Sequence, residues 1–448
     1  MKKILKILTV FALASALLAP LAACMKGGDP KIEPGENEYG RGQFYGLAEP
    51  AMSSIDSGQT LDMTLDLAGA FGFKSYRLFM HHSESFVARA KNENEVTLVP
   101  EAVERYKGYI KGLMDRGITD ITAMSHYYPF PVGFKVTGDR PYGAFPKPGS
   151  PYYSDFMNLV EKTYYLVAKT FPEIKYFECG NENNADVNCR PPQAGTTYKV
   201  GEKAQIITDL CFFARRGIKR AGRETGAEAS LVFPALIFDT KFNFVGSASG
   251  VQGAIPFLQA VYANINSGDF PYAEVDDDPL LKSSDNGDYF DVMSWHPYVM
   301  DGKSEYDGSY IQDNLAIYDV MKENGDEGKQ VFFTELGYST GRGSIGQVAM
   351  FEDEQGNFIQ NDLKHIYEYL PFVTQIHMFR LFDWDDHWKN TAVNDHYDAG
   401  YGLFTSPGTG LPGDLGPRPK KIAVKLLQLI KGEDASLEPL YQYYKGQR

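Results

Sequence analysis

The sequence predicts an α/β protein folded as a single (β/α)8 TIM barrel, and three observations support this prediction. Short apolar or β-branched segments alternate with helical patterns eight times between residues 43 and 448. No glycine-rich dinucleotide turn follows the first segment, and no internal repeat or second change in composition interrupts the series. Alternating strands and helices indicate a parallel sheet, and eight such units favour a closed barrel over an open, doubly wound sheet.

The elements can be placed along the chain in order. The predicted strands are Phe44–Leu47, Ser75–Phe79, Asp120–Met124, Tyr176–Cys179, Ser230–Ala235, Val292–Trp295, Val331–Thr334 and Gln375–Phe379. The predicted helices are Leu61–Ala70, Glu101–Arg116, Asp155–Thr170, Glu202–Arg223, Ala254–Ile265, Ile311–Asn324, Asn361–Leu370 and Lys420–Ile430. Most histidines and all three tryptophans lie in or just after a predicted strand. Because the carboxyl ends of barrel strands carry the functional residues, this clustering indicates a functional rim there.

The first 23 residues are predicted to be a leader rather than part of the fold. Three lysines within the first six residues precede the uncharged stretch Ile7–Ala23, which is typical of a secretory signal and too short for a membrane span of ~20 residues. The sequence Leu21-Ala22-Ala23-Cys24 resembles a bacterial lipobox, which implies lipidation of Cys24 as the new N-terminus. Ordinary signal cleavage beside an incidental cysteine stays open.

Residues 24–42 are rich in Gly, Pro, Lys and Glu and are predicted to be a flexible tether. Residues 43–448 are then the barrel domain. This organisation predicts a protein that is exported across the inner membrane and anchored by lipid at the cell envelope, on the periplasmic or cell-surface side. The anchor is its only expected membrane contact, and a monomer is expected.

The charge balance limits the partners of this protein. The formal net charge is −14 at pH 7, and loss of the leader lysines would make it more negative. An acidic protein repels nucleic acid and anionic headgroups, so both are excluded as partners, whereas neutral sugars are compatible. Aromatic residues make up 14% of the chain, which suits stacking on sugar rings and equally suits an aromatic core.

Two glutamates stand at the ends of separate strands. Glu182 follows the fourth predicted strand within the sequence Phe177–Asn184, and Glu335 ends the seventh within Phe332–Gly337. Glycosidic cleavage requires one carboxyl group to protonate the leaving oxygen and another to attack or to activate water. Either glutamate taken alone could instead be a structural ion-pair partner.

The order of the surrounding motifs resembles clan A of the glycoside hydrolases. The matching residues are Arg77 in the second strand, Asn181-Glu182, His296-Pro297-Tyr298, Thr334-Glu335, and Pro417-Arg418-Pro419-Lys420 before the last helix. The strand that places Glu178 four residues before Glu182 is similar to the corresponding strand of families such as 39 and 51. Two positions depart from the clan pattern: Gly180 stands where a tryptophan is frequent, and Asn183 where a proline is frequent.

The resemblance implies a retaining glycosidase that cleaves a β-linked oligo- or polysaccharide by double displacement without a cofactor. It implies that Glu182 is the acid/base, Glu335 the nucleophile and Asn181 a ligand of the sugar 2-hydroxyl. The remaining implied substrate-binding residues are Arg77 and Tyr298 against Glu335, His126 and His296 at the reactive sugar, and Trp384 with Trp388 as the stacking platform. The resemblance also implies that Arg77 keeps Glu335 ionised while a less polar setting keeps Glu182 protonated.

The cysteines leave one choice open. Cys179 and Cys189 flank Glu182 and could form a disulfide in an oxidising compartment, but two free thiols are equally compatible with the sequence. Cys211 lies on an apolar helical stripe and is predicted to be a buried free thiol.

Other functional classes find less support. His81-His82 and the acidic segment 274–278 lack the spacing of a zinc or calcium site, so no metal is expected. An esterase is disfavoured because no Gly-x-Ser-x-Gly sequence joins a strand to a helix. A lipid-anchored glycan-binding protein without turnover is the non-enzymatic alternative.

Overall fold

The computed structural model describes residues 44–49, 58–82, 87–92, 95–137, 143–193, 195–238, 250–267, 284–298, 308–340, 351–383, 400–405, 417–440 and 442. All of them lie in one compact unit, Gly35–Arg448. The predicted leader and tether, with Cys24, lie outside the described residues. Within the described ranges, no helix is long and apolar enough to cross a bilayer.

Eight parallel strands close into a barrel, which confirms the predicted fold. They are β1 (Tyr45–Glu49), β2 (Ser75–Phe79), β5 (Asp120–Met124), β6 (Tyr176–Glu178), β7 (Ser230–Val232), β9 (Val292–His296), β10 (Gln330–Leu336) and β11 (Val373–Phe379). Each strand pairs with the next in this order, and β11 pairs with β1 to close the ring. The short β8 (Leu236–Ile237) pairs with β9 beyond the end of β7.

Helices follow the strands around the barrel. They are α1 (Gly58–Phe71), α2 (Pro100–Asp115), α3 (Tyr153–Thr170), α4 (Val200–Thr225), α5 (Ala254–Ser267), α6 (Gly308–Glu323), α7 (Glu352–Tyr369) and α8 (Lys421–Lys431). In addition, β3 (Ala88–Asn92) and β4 (Glu95–Leu98) form an antiparallel hairpin between β2 and α2. The sequence pattern did not predict this hairpin.

The barrel interior changes from apolar to polar along its axis. Val232, Val292 and Phe332 form a buried apolar cluster with Tyr176 packed against it. Towards the carboxyl ends the buried interior is polar, with Arg77, Glu178, Ser294, His296, Thr334 and His377. Since buried polar groups are costly unless they are paired, this end of the barrel must hold a hydrogen-bonded network.

Two predicted placements need correction. The fifth predicted strand, Ser230–Ala235, is interrupted after Val232, because Pro234 has no N–H for a strand ladder and Ala235 N donates to Glu178 Oε1 at 3.3 Å. Trp295, one of the three tryptophans whose positions indicated a functional rim, does not lie at that rim. Its indole nitrogen donates to Asn314 of α6 at 2.8 Å, so the ring lies between strand and helix.

Candidate active site

The loop after β6 presents Glu182 through an unusual backbone conformation. Gly180 has φ +145°, and a side chain there would meet Asn183 Oδ1 at 2.1 Å. Glu182 itself has φ +50°, a left-handed conformation that costs non-glycine residues energy and is concentrated at functional sites. The clan's tryptophan at position 180 is therefore sterically incompatible with this loop.

The two asparagines after Glu182 hold the loop in place. Asn183 is buried and its Nδ2 donates to the Asn188 carbonyl at 2.6 Å. Asn184 accepts from Ile237 N at 2.9 Å and donates to the carbonyls of Ile237 and Gln252. Glu182 N donates to Ala235 O at 2.7 Å. These bonds tie the loop to the segment beyond β7, so Glu182 is carried by a fixed backbone.

Arg77 is the centre of the buried network at the barrel mouth. Its guanidinium donates to both oxygens of Glu178, at 2.5 and 3.0 Å, and to Glu335 Oε1 at 2.6 Å. A further bond at 2.7 Å goes to Asn181 Oδ1. Burial alone would lower the pKa of Arg77, but the charges of Glu178 and Glu335 outweigh it and raise that pKa. Arg77 is therefore a permanent cation beneath both carboxylates.

Glu182, Glu335 and His296 converge on one point. One carboxylate oxygen of each glutamate and a ring nitrogen of His296 lie within 4.8 Å of one another. His296 Nδ1 is 2.9 Å from Glu182 Oε1 and 3.6 Å from Glu335 Oε2. The strand ends of β6 and β10 thus bring together the two glutamates that the sequence singled out.

The two glutamates lie in different electrostatic environments. Glu335 faces the Arg77 cation on one oxygen and accepts a 2.9 Å hydrogen bond from the Tyr298 hydroxyl on the other. Burial raises the pKa of Glu182 to about 7, although the more distant charge of Arg77 opposes this change. Near neutral pH Glu182 can therefore carry a proton while Glu335 lies against a permanent cation.

Asn181 is oriented by the same network. Its Oδ1 is occupied by Arg77 at 2.7 Å, so its amide nitrogen is the group left to donate to a ligand. His296 is fully buried, and burial lowers its pKa to about 4, which keeps the ring neutral.

His126 lies at the end of β5 in a cluster of rings. Its ring is stacked on His81 with centroids 4.6 Å apart, and Tyr127 lies against both. Burial lowers the pKa of His126 to about 3, and the charge of Arg77 lowers it further, so the ring is neutral.

The predicted stacking platform lies outside the described residues, since both Trp384 and Trp388 fall in residues 384–399. The segment that leads to them is held by a buried lysine. Lys420 donates to Asp383 at 3.1 Å, to Thr340 Oγ1 at 3.0 Å and to the Gly400 carbonyl at 2.8 Å. This lysine, from the motif before α8, joins the loops that follow β10 and β11.

The possible disulfide between Cys179 and Cys189 is not formed. All three described cysteines are free and buried. Cys179 Sγ lies 3.5 Å from Cys211 Sγ on α4, so the thiol at the end of β6 points into the helix layer rather than towards Cys189. The expectation of a buried free thiol at Cys211 is confirmed.

A positive charge opposes metal binding at the site. Among the described residues, the group suited to hold an ion is Glu182 with His296 and Glu335. The Arg77 guanidinium already contacts Glu335 at 2.6 Å and places a fixed positive charge beside that position, which opposes a second cation.

Glu178 belongs to the site, although the sequence predicted no role for it there. It is fully buried in β6 and binds Arg77 through both oxygens. Its position in a strand four residues before Glu182 was visible, but nothing in the sequence alone indicated that its side chain pairs with β2.

Comparisons with known proteins show the fold. No family model matches the chain, and no curated protein matches it. Among solved structures, a GH5_18 protein from Streptomyces cattleya in complex with GlcNAc is 12% identical with a TM-score of 0.55, covering 88% of this chain and 80% of that one. The β-glucosidase from Trichoderma harzianum is 15% identical with a TM-score of 0.54, covering 93% and 99%. A family 39 glycoside hydrolase from Bacteroides cellulosilyticus is 14% identical with a TM-score of 0.50, covering 87% and 64%. At these identities the likeness extends to the barrel and its topology.

Proposed function

We propose that the chain is a retaining glycoside hydrolase that cleaves β-linked oligo- or polysaccharides. The observation that carries this proposal is that one carboxylate oxygen of Glu182 and one of Glu335 lie within 4.8 Å of each other, with Glu182 in a setting that raises its pKa and Glu335 against the Arg77 cation. Carboxyl groups about 5–5.5 Å apart are typical of retaining enzymes, whereas inverting enzymes leave about 6.5–9.5 Å for a water. The short approach supports a double displacement.

In the proposed reaction Glu335 is the nucleophile and Glu182 is the acid and base. Glu335 attacks the anomeric carbon while Glu182 protonates the leaving oxygen, giving a covalent glycosyl–enzyme. Glu182, now ionised, then takes a proton from water, and that water displaces Glu335 from the anomeric carbon. Arg77 and Tyr298 hold Glu335 in place, and the amide of Asn181 would donate to the sugar 2-hydroxyl.

The structural neighbours support the same class of substrate. They include β-glucosidases from Trichoderma harzianum and Exiguobacterium marinum, and a GH5_18 variant from Streptomyces cattleya in complex with Manβ1-4GlcNAc. These names describe proteins that act on or bind β-linked sugars, and the shared barrel extends that expectation to this chain.

The test is kinetic analysis of variants at the two carboxylates on a panel of aryl β-glycosides and natural β-glycans. We expect Glu335→Ala to lose activity by several orders of magnitude, with azide restoring turnover and giving a product of inverted configuration. Glu182→Ala should lose far more activity on poor leaving groups than on activated aryl glycosides, because only the former need an acid. The exposed Glu101→Gln on α2 is the matched control.

Other outcomes would favour the alternatives. Glycan binding without turnover would indicate a binding protein, and release of acyl groups with intact glycosidic bonds would indicate an esterase. Release of the inverted anomer by the wild-type protein would show that the two carboxylates do not act as proposed.

The location is a separate proposal that rests on the leader sequence alone. We propose that the mature chain begins at a lipidated Cys24 and acts at the cell envelope, with the tether lifting the barrel from the bilayer. Partition of the wild-type protein into detergent, lost in Cys24→Ser, is expected. A soluble wild-type form beginning at Met25 would contradict it.

A further inference from the structure

A continuous hydrogen-bonded chain leads from Glu182 into the barrel. His296 Nδ1 lies 2.9 Å from Glu182 Oε1, and His296 Nε2 lies 3.1 Å from Thr334 Oγ1. The Thr334 hydroxyl donates to Glu178 Oε1 at 3.3 Å. His296, Thr334 and Glu178 are fully buried, so water does not compete for these bonds.

The direction of each bond is set by the fixed end of the chain. Both oxygens of Glu178 accept bonds from the Arg77 guanidinium, and Glu178 Oε1 also accepts from the Thr334 hydroxyl. The single Thr334 proton is therefore given to Glu178, which leaves the Thr334 oxygen to accept from His296 Nε2–H. A neutral imidazole carries one N–H, so Nδ1 then presents a lone pair to Glu182.

A lone pair on Nδ1 dictates the proton on Glu182. Two acceptors 2.9 Å apart repel, so Glu182 Oε1 must supply the hydrogen. The same lone pair disfavours ionised Glu182, which makes that carboxylate a stronger base once its proton has left.

Other charged and titratable groups face His296 and Glu182. Arg77 on β2 is a cation that favours ionisation of Glu182 and opposes a second charge on His296. Glu335 on β10 lies 3.6 Å from His296 Nδ1 and favours an imidazolium. Tyr298 after β9 is buried with its ring centroid 6.1 Å from that of His296, and the buried His377 on β11 interacts electrostatically with His296. Burial is the largest influence on both residues and keeps the ring neutral, with its pKa lowered to about 4.

We propose that Thr334 and Glu178 are positioning residues that hold His296 as its Nε2–H tautomer and thereby keep Glu182 protonated between turnovers. The inference deepens the proposed glycosidase function and rests on it for the role of Glu182 as acid. During the reaction the proton on Glu182 leaves its bond to Nδ1 and passes to the glycosidic oxygen, and the proton taken later from water restores that bond.

The first measurement is made on the resting protein and needs no turnover. Nitrogen-15 NMR, with His296 assigned by comparison with His296→Gln, should show the proton on Nε2 and none on Nδ1 at neutral pH. A wild-type Nδ1–H tautomer or an imidazolium would overturn the proposal. Because this spectrum does not depend on a substrate, it separates failure of the tautomer from failure of the glycosidase function.

The second measurement uses Thr334→Val, which removes the acceptor of Nε2–H while keeping the shape. The ring is then free to take the Nδ1–H form and donate to ionised Glu182, which lowers the pKa of Glu182. We expect the carbon-13 carboxyl titration of Glu182, and the alkaline limb of kcat/KM, to move down by about one pH unit. Thr334→Ser should restore both.

The matched control is Thr122→Val on β5. Thr122 is also a buried threonine of the barrel, paired in register with Arg77, and its hydroxyl has no hydrogen-bond partner among the described residues. It should shift neither titration. An unchanged Glu182 titration in Thr334→Val, or an equal shift in Thr122→Val, would overturn the proposal. If Thr334→Val does not fold, the wild-type tautomer still decides.

Discussion

Glu182 should destabilise the folded protein at neutral and alkaline pH, and Glu182→Gln should relieve this cost. Burial raises the pKa of this side chain from 4.5 to about 7. A pKa difference of one between the folded and unfolded chains corresponds to about 1.4 kcal/mol, so ionised Glu182 costs the folded state roughly 3 kcal/mol. The side chain is 20% exposed, so solvent screens little of this cost. Glutamine keeps the shape of the side chain and is never charged.

The stability cost of Glu182 depends on pH through proton binding. Because the pKa of Glu182 is higher in the folded than in the unfolded chain, the folded state binds more protons between pH 4.5 and about 7. The free energy of unfolding of the wild type therefore falls through this window and levels off above it. Relative to Glu182→Gln, the wild type should lose roughly 2 kcal/mol between about pH 5 and about pH 8.

Urea unfolding of the wild type and of Glu182→Gln at the two pH values measures this difference. The control is Glu101→Gln at an exposed position, whose free energy of unfolding should change with pH as that of the wild type does. A difference between wild type and Glu182→Gln that does not change with pH would refute the reasoning. It would mean that Glu182 is ionised at the lower pH and that its environment is not the one described.

Three further predictions concern the barrel. Arg77→Met should lower the free energy of unfolding, measured in urea, by about 3–5 kcal/mol because two buried carboxylates lose their cation. Arg116→Met breaks a partly exposed pair with Asp66 and should lower it by under about 1 kcal/mol. Equal losses in the two variants would contradict this prediction. Gly46→Ala should lower the free energy of unfolding by about 1–3 kcal/mol through overpacking, because the added carbon would lie 2.0 Å from Ser75 Oγ. The control is Gly108→Ala, whose added carbon meets nothing within 4 Å and should not destabilise the protein. The three described cysteines should resist alkylation in the native protein and all react after denaturation, and a lower count would indicate a disulfide.

The regular parts of the fold could be predicted because periodicity reports burial. The second and third barrel strands agree with the sequence prediction residue for residue, since each is a short buried run with a clear end. α7 was predicted from Asn361 but begins at Glu352. Its first buried positions are Gln355 and Gly356, which carry no apolar signal, so the pattern became visible only further along the helix.

Single-residue placements were harder where they depend on which face of an element a side chain takes. Trp295 and His296 are neighbours in β9, and alternation sends the indole to the helices and the imidazole to the mouth. Gly180 departed from the clan pattern for a reason seen only in three dimensions, namely the contact with Asn183. The paired glutamates could be predicted because strand ends of a barrel share one rim. The pairing of Arg77 with Glu178 in β6 could not be predicted, because it depends on the register between strands that are distant in the sequence.

The central claim is that Glu335 forms a covalent bond to the sugar while Glu182 delivers the proton. The most direct test is to incubate the wild-type protein with a 2-deoxy-2-fluoro β-glycoside that carries a good leaving group, and to map the labelled peptide by mass spectrometry. We predict one sugar per chain, attached to the Glu335 side chain, with Glu335→Gln left unlabelled. Attachment to Glu182 or Glu178, or turnover with inversion and no labelled peptide, would contradict this claim.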